Sequence, residues 1–408
     1  MKRVADHLSD ILSAVRPLNP LDLQLLDAHG CVLAEDVVAP WPLPQFDNSA
    51  MDGYAVRAED VSDAGEDSPV ELPVIGDIAA GESEMQAIGE GMSARIMTGA
   101  PLPSGADAVV PVEQTDGGVA RVQVRRAAKP GDHVRRLGED VRTGDVVLRA
   151  GTFLGAAQVG LLAAVGQDRV TVRPRPRVVI FSTGSELVDP GLRLGRGQIT
   201  DANSFTLTAA AREAGAVSYR VGIVPDDERT LMGLIEDQLV RADVVVTSGG
   251  VSAGAYDVVK QVLSRLGTVK FDSVAMQPGM PQGFGTVGDE STPIFTLPGN
   301  PVSAFVSFEV FVRPAIRRML GVSKLHRPSV KAILQTALRS PEGKRQFARA
   351  RLQPAPDGSY LVTPLDGQAS HLIGDLAYAN ALVVVPEHVT DVEAGQLVDV
   401  VLLERRKG

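Results

Sequence analysis

Residues 242–257 read ADVVVTSGGVSAGAYD, and this stretch decides the fold. Val244, Val245 and Val246 form a continuous apolar run, the pattern of a strand buried on both faces of a parallel sheet. The run breaks into Thr247, Ser248, Gly249 and Gly250, and two adjacent glycines let backbone approach a ligand without Cβ interference. Ser248 and Ser252 add hydroxyls, and Asp257 stands where an N-cap belongs ahead of VVKQVLSRLG. Strand, Gly/Ser loop and helix start together make an anion-binding corner. The glycine spacing matches neither a Walker A loop nor a G-x-G-x-x-G loop.

On both sides of this corner the periodicity is βαβ. A strand over residues 178–181 runs into STGSEL, and a helix is predicted over 204–214, closed by Gly215. A strand over 219–224 leads into PDDERT and a helix with Leu231, Leu234, Ile235 and Leu239 on one face. Further strands are expected near 270–276 and 293–297, then a long helix over 302–320. The result is a doubly wound sheet, which binds ligands at the carboxyl ends of its strands. Those ends are polar throughout: Thr183, Gly184, Ser185 and Glu186; Asp226 and Asp227; Ser248, Gly249 and Gly250; Pro298, Gly299, Asn300 and Ser303. Repetition at four strand ends marks them as one binding site.

The flanking segments differ in pattern. Val4, Leu8, Ile11, Leu12 and Val15 share one helical face, and Pro17 ends it. Pro40, Pro42 and Pro44 stiffen the chain around Trp41. Residues 46–136 are β-rich, with Asp52 on a tight corner and Thr98 at a strand end. Arg135 and Arg136 are an anion site or a solvated charged loop. Residues 155–165 are small and apolar almost all round, so this helix is expected to be buried against the N-terminal helices. That makes 46–136 an insertion in a discontinuous helical domain of residues 1–45 with 137–175. Alternating prolines at 174 and 176 open the α/β domain, 176–325. From 326 to 408 strands return, with a Pro-Asp-Gly turn at Pro356, as a small β-barrel or sandwich. Its stretch GKRQFARAR carries Lys344, Arg345, Arg349 and Arg351.

Composition removes several functions. The 408 residues carry 50 acidic and 40 basic side chains, a net charge of −10, which argues against a nucleic-acid binder. Aromatics make up 4% of the chain, too few for base-stacking platforms. The single cysteine, Cys31, forms no internal disulfide, and the six histidines lack zinc-ligand spacing. No apolar run approaches the roughly 20 residues of a membrane span, and Asp6 and Asp10 interrupt any signal-peptide core. A soluble, cytoplasmic protein is expected.

The strand ends offer hydroxyls, an asparagine and the carboxylates Glu186, Asp201, Asp227 and Asp257, but no Cys nucleophile and no Ser–His pair. Covalent catalysis is disfavoured. Carboxylates beside a phosphate suit Mg²⁺. The residues alone therefore point to a phosphate-bearing substrate and metal-assisted phosphoryl or anhydride chemistry.

FDNSAMDGYAV, MTGAPLPSGADAVVPVE, STGSEL, TSGGVSAGAYD and LPGNPVSAFVSFEVFV occur here in that order. In this the chain resembles the molybdopterin molybdenumtransferase family, MoeA and the gephyrin E domain, over essentially its whole length. The resemblance implies an α/β multidomain dimer with a MoaB/MogA-like molybdopterin-binding domain. It implies insertion of molybdate into adenylylated molybdopterin with Mg²⁺ and release of AMP. Substrate would come from a molybdopterin adenylyltransferase, and product would pass to molybdoenzymes or carrier proteins. Catalytic roles fall on Asp52, Thr98, Glu186, Asp227 (or Asp226) and Asp257, with Mg²⁺ on Glu186, Asp227 and Asp257. Asp52 and Thr98 would reach the cleft across the dimer. Substrate contacts fall on Thr183, Gly184, Ser185, Asp201, Asn203, Ser248, Gly249, Gly250, Ser252, Gln277, Pro298, Gly299, Asn300, Ser303, Arg345 and Ser370. The chain departs from the family at Gln277-Pro278-Gly279-Met280-Pro281, where many members have Lys-Pro-Gly-Lys-Pro. Either molybdate would bind more weakly, or Arg345 or Arg349 would supply the missing charge, or activity is lost or shifted. Two other functions fit parts of the pattern: adenylyl transfer to molybdopterin, and a pterin-binding scaffold without turnover.

Overall fold

The structure is a computed structural model and describes residues 1–81, 87–250 and 258–403. Its centre is a six-stranded sheet in the order Val217–Val224, Arg177–Thr183, Val244–Ser248, Thr292–Leu297, Pro281–Val287, Lys270–Ser273. The first four strands are parallel, and the last two pairings are antiparallel. Two-sided burial explains the continuous apolar runs. Val178, Ile180, Val244 and Val246 point into one core, and Val179, Phe181 and Val245 into the other. Helices α3 (Asn203–Ala214), α6 (Pro301–Ser307) and α7 (Arg313–Met319) close the first core. Helices α4 (Glu228–Leu239) and α5 (Val258–Leu266) close the second.

Sequence periodicity located most of this and missed two things. Strand Pro281–Val287 was not foreseen: its glycines Gly283 and Gly285 give it no alternation, and both are packed so closely that a Cβ would overlap neighbouring atoms. The helix expected over 302–320 is interrupted by a π turn, Phe308–Val312, between α6 and α7. Met276–Gln277 also leaves the sheet and pairs in parallel with Arg345 and Gln346 of the last domain.

That last domain is a closed five-stranded barrel. Strands Arg345–Pro354, Tyr360–Pro364, Ser329–Leu334, Leu397–Leu402 and Ala381–Val385 follow one another, and the first pairs with the last. The hairpin turn forms as expected, with Gly358 at φ +85° and its N–H on Ala355 O. Phe347, Leu382 and Leu403 of the barrel lie in the same core as α3 and α7, so barrel and sheet share apolar contacts.

The β-rich segment forms a five-stranded sheet ordered Ala108–Pro111, Gly53–Val56, Ser93–Ile96, Val70–Ile78, Arg121–Val124. Its two cores contain residues of this segment alone. Strands Leu21–Gln24 and Val32–Leu33 flank Arg169–Arg173 in a smaller unit, whose core includes Cys31, Leu154 and Leu162. Helix α2 (Ala156–Ala164) packs there with only Leu162 buried. The expectation of a buried α2 against the N-terminal helices is thus corrected. Small side chains made α2 look apolar all round, but most of its surface faces outward.

Helix α1 (Val4–Ala14) is corrected too, by partner. Val4, Ile11 and Val15 lie in the α/β core, so α1 does not belong by packing with the unit expected for residues 1–45 and 137–175. His7 lies edge-on to Phe311 of the π turn, centroids 4.8 Å apart, with Nδ1 3.4 Å from Asp272. Burial opposes its charge and lowers its pKa to about 4. The unfolded chain therefore binds a proton that the folded chain does not, between pH 6.5 and about 4. Stability must fall as pH drops through this window, by no more than about 3 kcal/mol from this group. Replacing His7 by Phe is expected to flatten the decline in melting temperature between pH 6.5 and 4, read by calorimetry at several pH values.

Candidate active site

The four parallel strands end together, and one side chain ties two of the ends. Asn203, in the first turn of α3, donates from Nδ2 to Ser248 Oγ (2.7 Å) and to Gly299 O (2.6 Å). Thr183 Oγ1 donates to Ser248 O at 3.5 Å. Gly249, at φ +100°, is required here, because a Cβ would lie 2.6 Å from Thr183 O. Its N–H continues the sheet to Leu297 O at 3.0 Å, so Gly249 provides close approach and not a free donor. Gly250 follows at φ +73°, half-buried against Val259. Ser252 and Asp257 lie outside the described residues.

The acidic wall is built from the first two strand ends. Glu186 is exposed, and its carboxylate folds back over Gly184. Asp226 accepts from the N–H and hydroxyl of Ser185, at 3.2 and 3.3 Å. Asp227 instead caps α4: it accepts the N–H and hydroxyl of Thr230, at 2.8 and 2.7 Å, and these bonds hold its carboxyl below the usual range. The acid that joins the Thr183–Glu186 corner is therefore Asp226. The spacing Asp227 to Thr230 is a capping signal that already favoured this division of roles. Among the described residues, no three acidic, histidine or cysteine side chains gather as a metal cage. Glu186 and Asp226 are carboxylates at adjoining strand ends, oxygen donors of the kind that fits Mg²⁺.

Asp201 is a correction. It is 1% exposed and accepts from the hydroxyls of Ser182 and Ser204 and from the N–H of Ser204. Arg220 lies 3.6 Å away. Asp201 thus fixes the start of α3, and hence Asn203, from inside the protein. Ser303 is a second correction: α6 buries it to 5% exposure.

The last loop draws in the barrel. Asn300 Nδ2 donates to Ser370 Oγ at 2.9 Å, and Val302 N–H to Ser370 O at 3.0 Å. Ser370 is thus tied to the loop of the last parallel strand. Arg345 does not reach it: its guanidinium pairs with Glu387 at 3.2 Å, in a cavity of about 430 Å³ also lined by Met1, Arg3 and Gly343. The arginine that acts near Ser370 is Arg349, fully buried, which donates to the carbonyls of Gly367, Ala369 and Leu372. It shapes the loop through its two terminal nitrogens, while its Nε is buried without a hydrogen-bond partner. Arg349 shares the strand face of Phe347, which packs in the core of the sheet domain, while Ala348 and Ala350 fill the barrel; the basic run GKRQFARAR does not show this division.

Asp52 and Thr98 meet each other, 46 residues apart. Asp52 Oδ1 accepts the N–H and the hydroxyl of Thr98, both at 2.7 Å. These bonds hold the Asp52 carboxyl below its ordinary value, so it is ionised at neutral pH. The pair is exposed on the β-rich unit. Arg136, expected to bind an anion or solvent, pairs with Asp47 at 2.7 Å where this unit joins the next.

Because Asp201 is fully bonded inside, Asp201→Asn is expected to act on folding. A loss of about 2 kcal/mol in denaturant unfolding, with ligand affinity of the folded fraction kept, is the expected result.

Comparison with known proteins covers the whole chain. Residues 2–166 match the MoeA N-terminal region (domain I and II), 179–318 a probable molybdopterin binding domain, and 331–403 the MoeA C-terminal region (domain IV). Molybdopterin molybdenumtransferase 2 of Mycobacterium tuberculosis (strain ATCC 25618 / H37Rv) is 49% identical over 97% of this chain and 98% of its own. Molybdopterin molybdenumtransferase 1 of that strain is 45% identical over 99% of each chain. The solved structure of the molybdopterin biosynthesis MoeA protein from Pyrococcus horikosii superimposes with a TM-score of 0.78 at 35% identity, over 99% of each chain. With its three consecutive domain matches and these full-length likenesses, the chain belongs to the MoeA family of molybdopterin molybdenumtransferases, which act in molybdenum cofactor biosynthesis.

Proposed function

We propose that this protein inserts molybdate into adenylylated molybdopterin with Mg²⁺ and releases AMP. The observation that carries the reading is the line of strand ends, where the Glu186–Asp226 wall faces the neutral corner of Ser248, Gly249, Gly299 and Asn300. A pterin with a phosphate anhydride needs both. The neutral donors and glycines suit the heterocycle and its phosphate, and the carboxylates suit the cation that accompanies an anhydride. Magnesium held with the phosphates would neutralise charge as the anhydride opens. The chain's own part is orientation: Asn203 sets the corner, Asp226 fixes the Ser185 turn, and Glu186 stays open to the ligand. No cysteine is needed, because the sulfur ligands for molybdenum belong to the substrate.

A homodimer completes the reading. Asp52, pre-oriented by Thr98 and ionised, sits on a unit whose core is separate from the sheet. An exposed, ordered carboxylate of this kind suits the cleft of a partner copy.

The test is AMP release from adenylylated molybdopterin by the full-length protein. Release that depends on both molybdate and Mg²⁺ is expected. ATP consumption with free molybdopterin would point instead to adenylyl transfer, and tight pterin binding without release to a scaffold. Met280 stands 38% exposed, so a lysine there keeps its charge in water. Met280→Lys is expected to tighten molybdate binding roughly tenfold, as one charge-assisted hydrogen bond would. An unchanged dissociation constant removes this position from the oxyanion site.

A further inference from the structure

The loop that carries Gln277 and Met280 lies on the same sheet edge as Pro298 and Gly299. Gly283 stands opposite Thr296, and the same register carried two residues on brings Pro281 beside Pro298. Neither Gln277 nor Met280 is charged, so an oxyanion received by this loop would have to be held by neutral donors. Such recognition is sensitive to position, because hydrogen bonds weaken steeply with angle while a point charge does not.

What holds the loop is a buried polar cluster behind it. Gln282 is 2% exposed, and its Nε2 donates to Gly279 O at 2.6 Å and to Ser307 Oγ at 2.6 Å. Met276 Sδ lies 3.9 Å from the same nitrogen. Ser307 is fully buried at the end of α6, immediately before the π turn. Gly279 adopts φ +100°, and a Cβ there would stand 2.7 Å from Ser307 Oγ. A buried amide in a strand otherwise facing apolar neighbours is costly unless bonded, so the cluster is a fixed device and not a loose contact. Through Ser307 it also couples the loop to α6, whose first turn follows Asn300.

We propose that Gln282 is a positioning residue which, with Ser307 and Gly279, sets the Gln277–Met280 loop for recognition of the oxyanion substrate. The inference rests on the reading that this edge receives molybdate. Gln282→Leu keeps the bulk and removes the donor, which frees the loop without emptying the core. Gly279→Ala attacks the same cluster from the other side with Gln282 intact.

The experiment measures molybdate binding by calorimetry, pterin binding by fluorescence, and product formation against molybdate concentration, all on the full-length protein. The expected result for either variant is a molybdate Kd and KM raised about tenfold, as loss of one well-placed hydrogen bond gives, with kcat and pterin Kd within twofold. In the double variant the two losses should fall short of additive, because both act on one cluster. An unchanged molybdate Kd overturns the proposal, whatever happens to the melting temperature. Equal losses in pterin affinity and kcat also overturn it, since they mark general disorder of the core. Should wild type bind molybdate but release no AMP, the catalytic reading falls, and the difference in molybdate Kd between wild type and variant still decides the role of Gln282. Should wild type bind no molybdate, the proposal falls with it.

Discussion

Burial of the parallel sheet on both faces is the constraint on which the rest depends. Val178 to Phe181 and Val244 to Val246 have no exposed side, so the middle of each strand can carry no chemistry. Polar groups are forced to the strand ends, where the backbone turns and its ladder runs out. Those ends are where Thr183, Asp226, Ser248 and Gly299 stand. Gly249 shows how tight the result is, for its N–H still serves the sheet while its missing side chain leaves room at Thr183.

Around this edge lies a second set of residues that touch no ligand and decide the geometry. Asp201 anchors α3 from within, which sets Asn203. Arg349 shapes the Gly367–Leu372 turn, which presents Ser370 to Asn300. Gln282 holds Gly279. All three are buried polar side chains that carry hydrogen bonds, since a buried polar group left without any would be expensive. The barrel takes part for the same reason: its Phe347 and Leu382 share the core of the sheet, which brings the Ser370 loop to the edge.

The β-rich unit follows another logic. Its cores are its own, and it presents one exposed carboxylate ordered by one threonine. The Asp52–Thr98 bond is internal to the unit, so the unit can carry this pair to a cleft as a finished part.

The sequence by itself determined the doubly wound sheet, the C-terminal hairpin turn, the location of the strand ends and the family. Each of these is written locally, in runs of apolar residues, turn residues and contiguous motifs. Tertiary structure alone decided the partners. Asp201 and Asp226 are both acids near strand ends, and nothing in their neighbourhoods says that one is sealed inside and the other stands exposed at the Ser185 turn. Arg345 and Arg349 lie four residues apart in one basic run, yet only Arg349 faces the loop of Ser370. Helix α1 read as part of the first domain and packs on the π turn of the sheet domain. A periodic pattern specifies which face of an element is apolar, but not which other face will cover it. For polar side chains the choice is made by desolvation, which acts only once distant segments have closed around them.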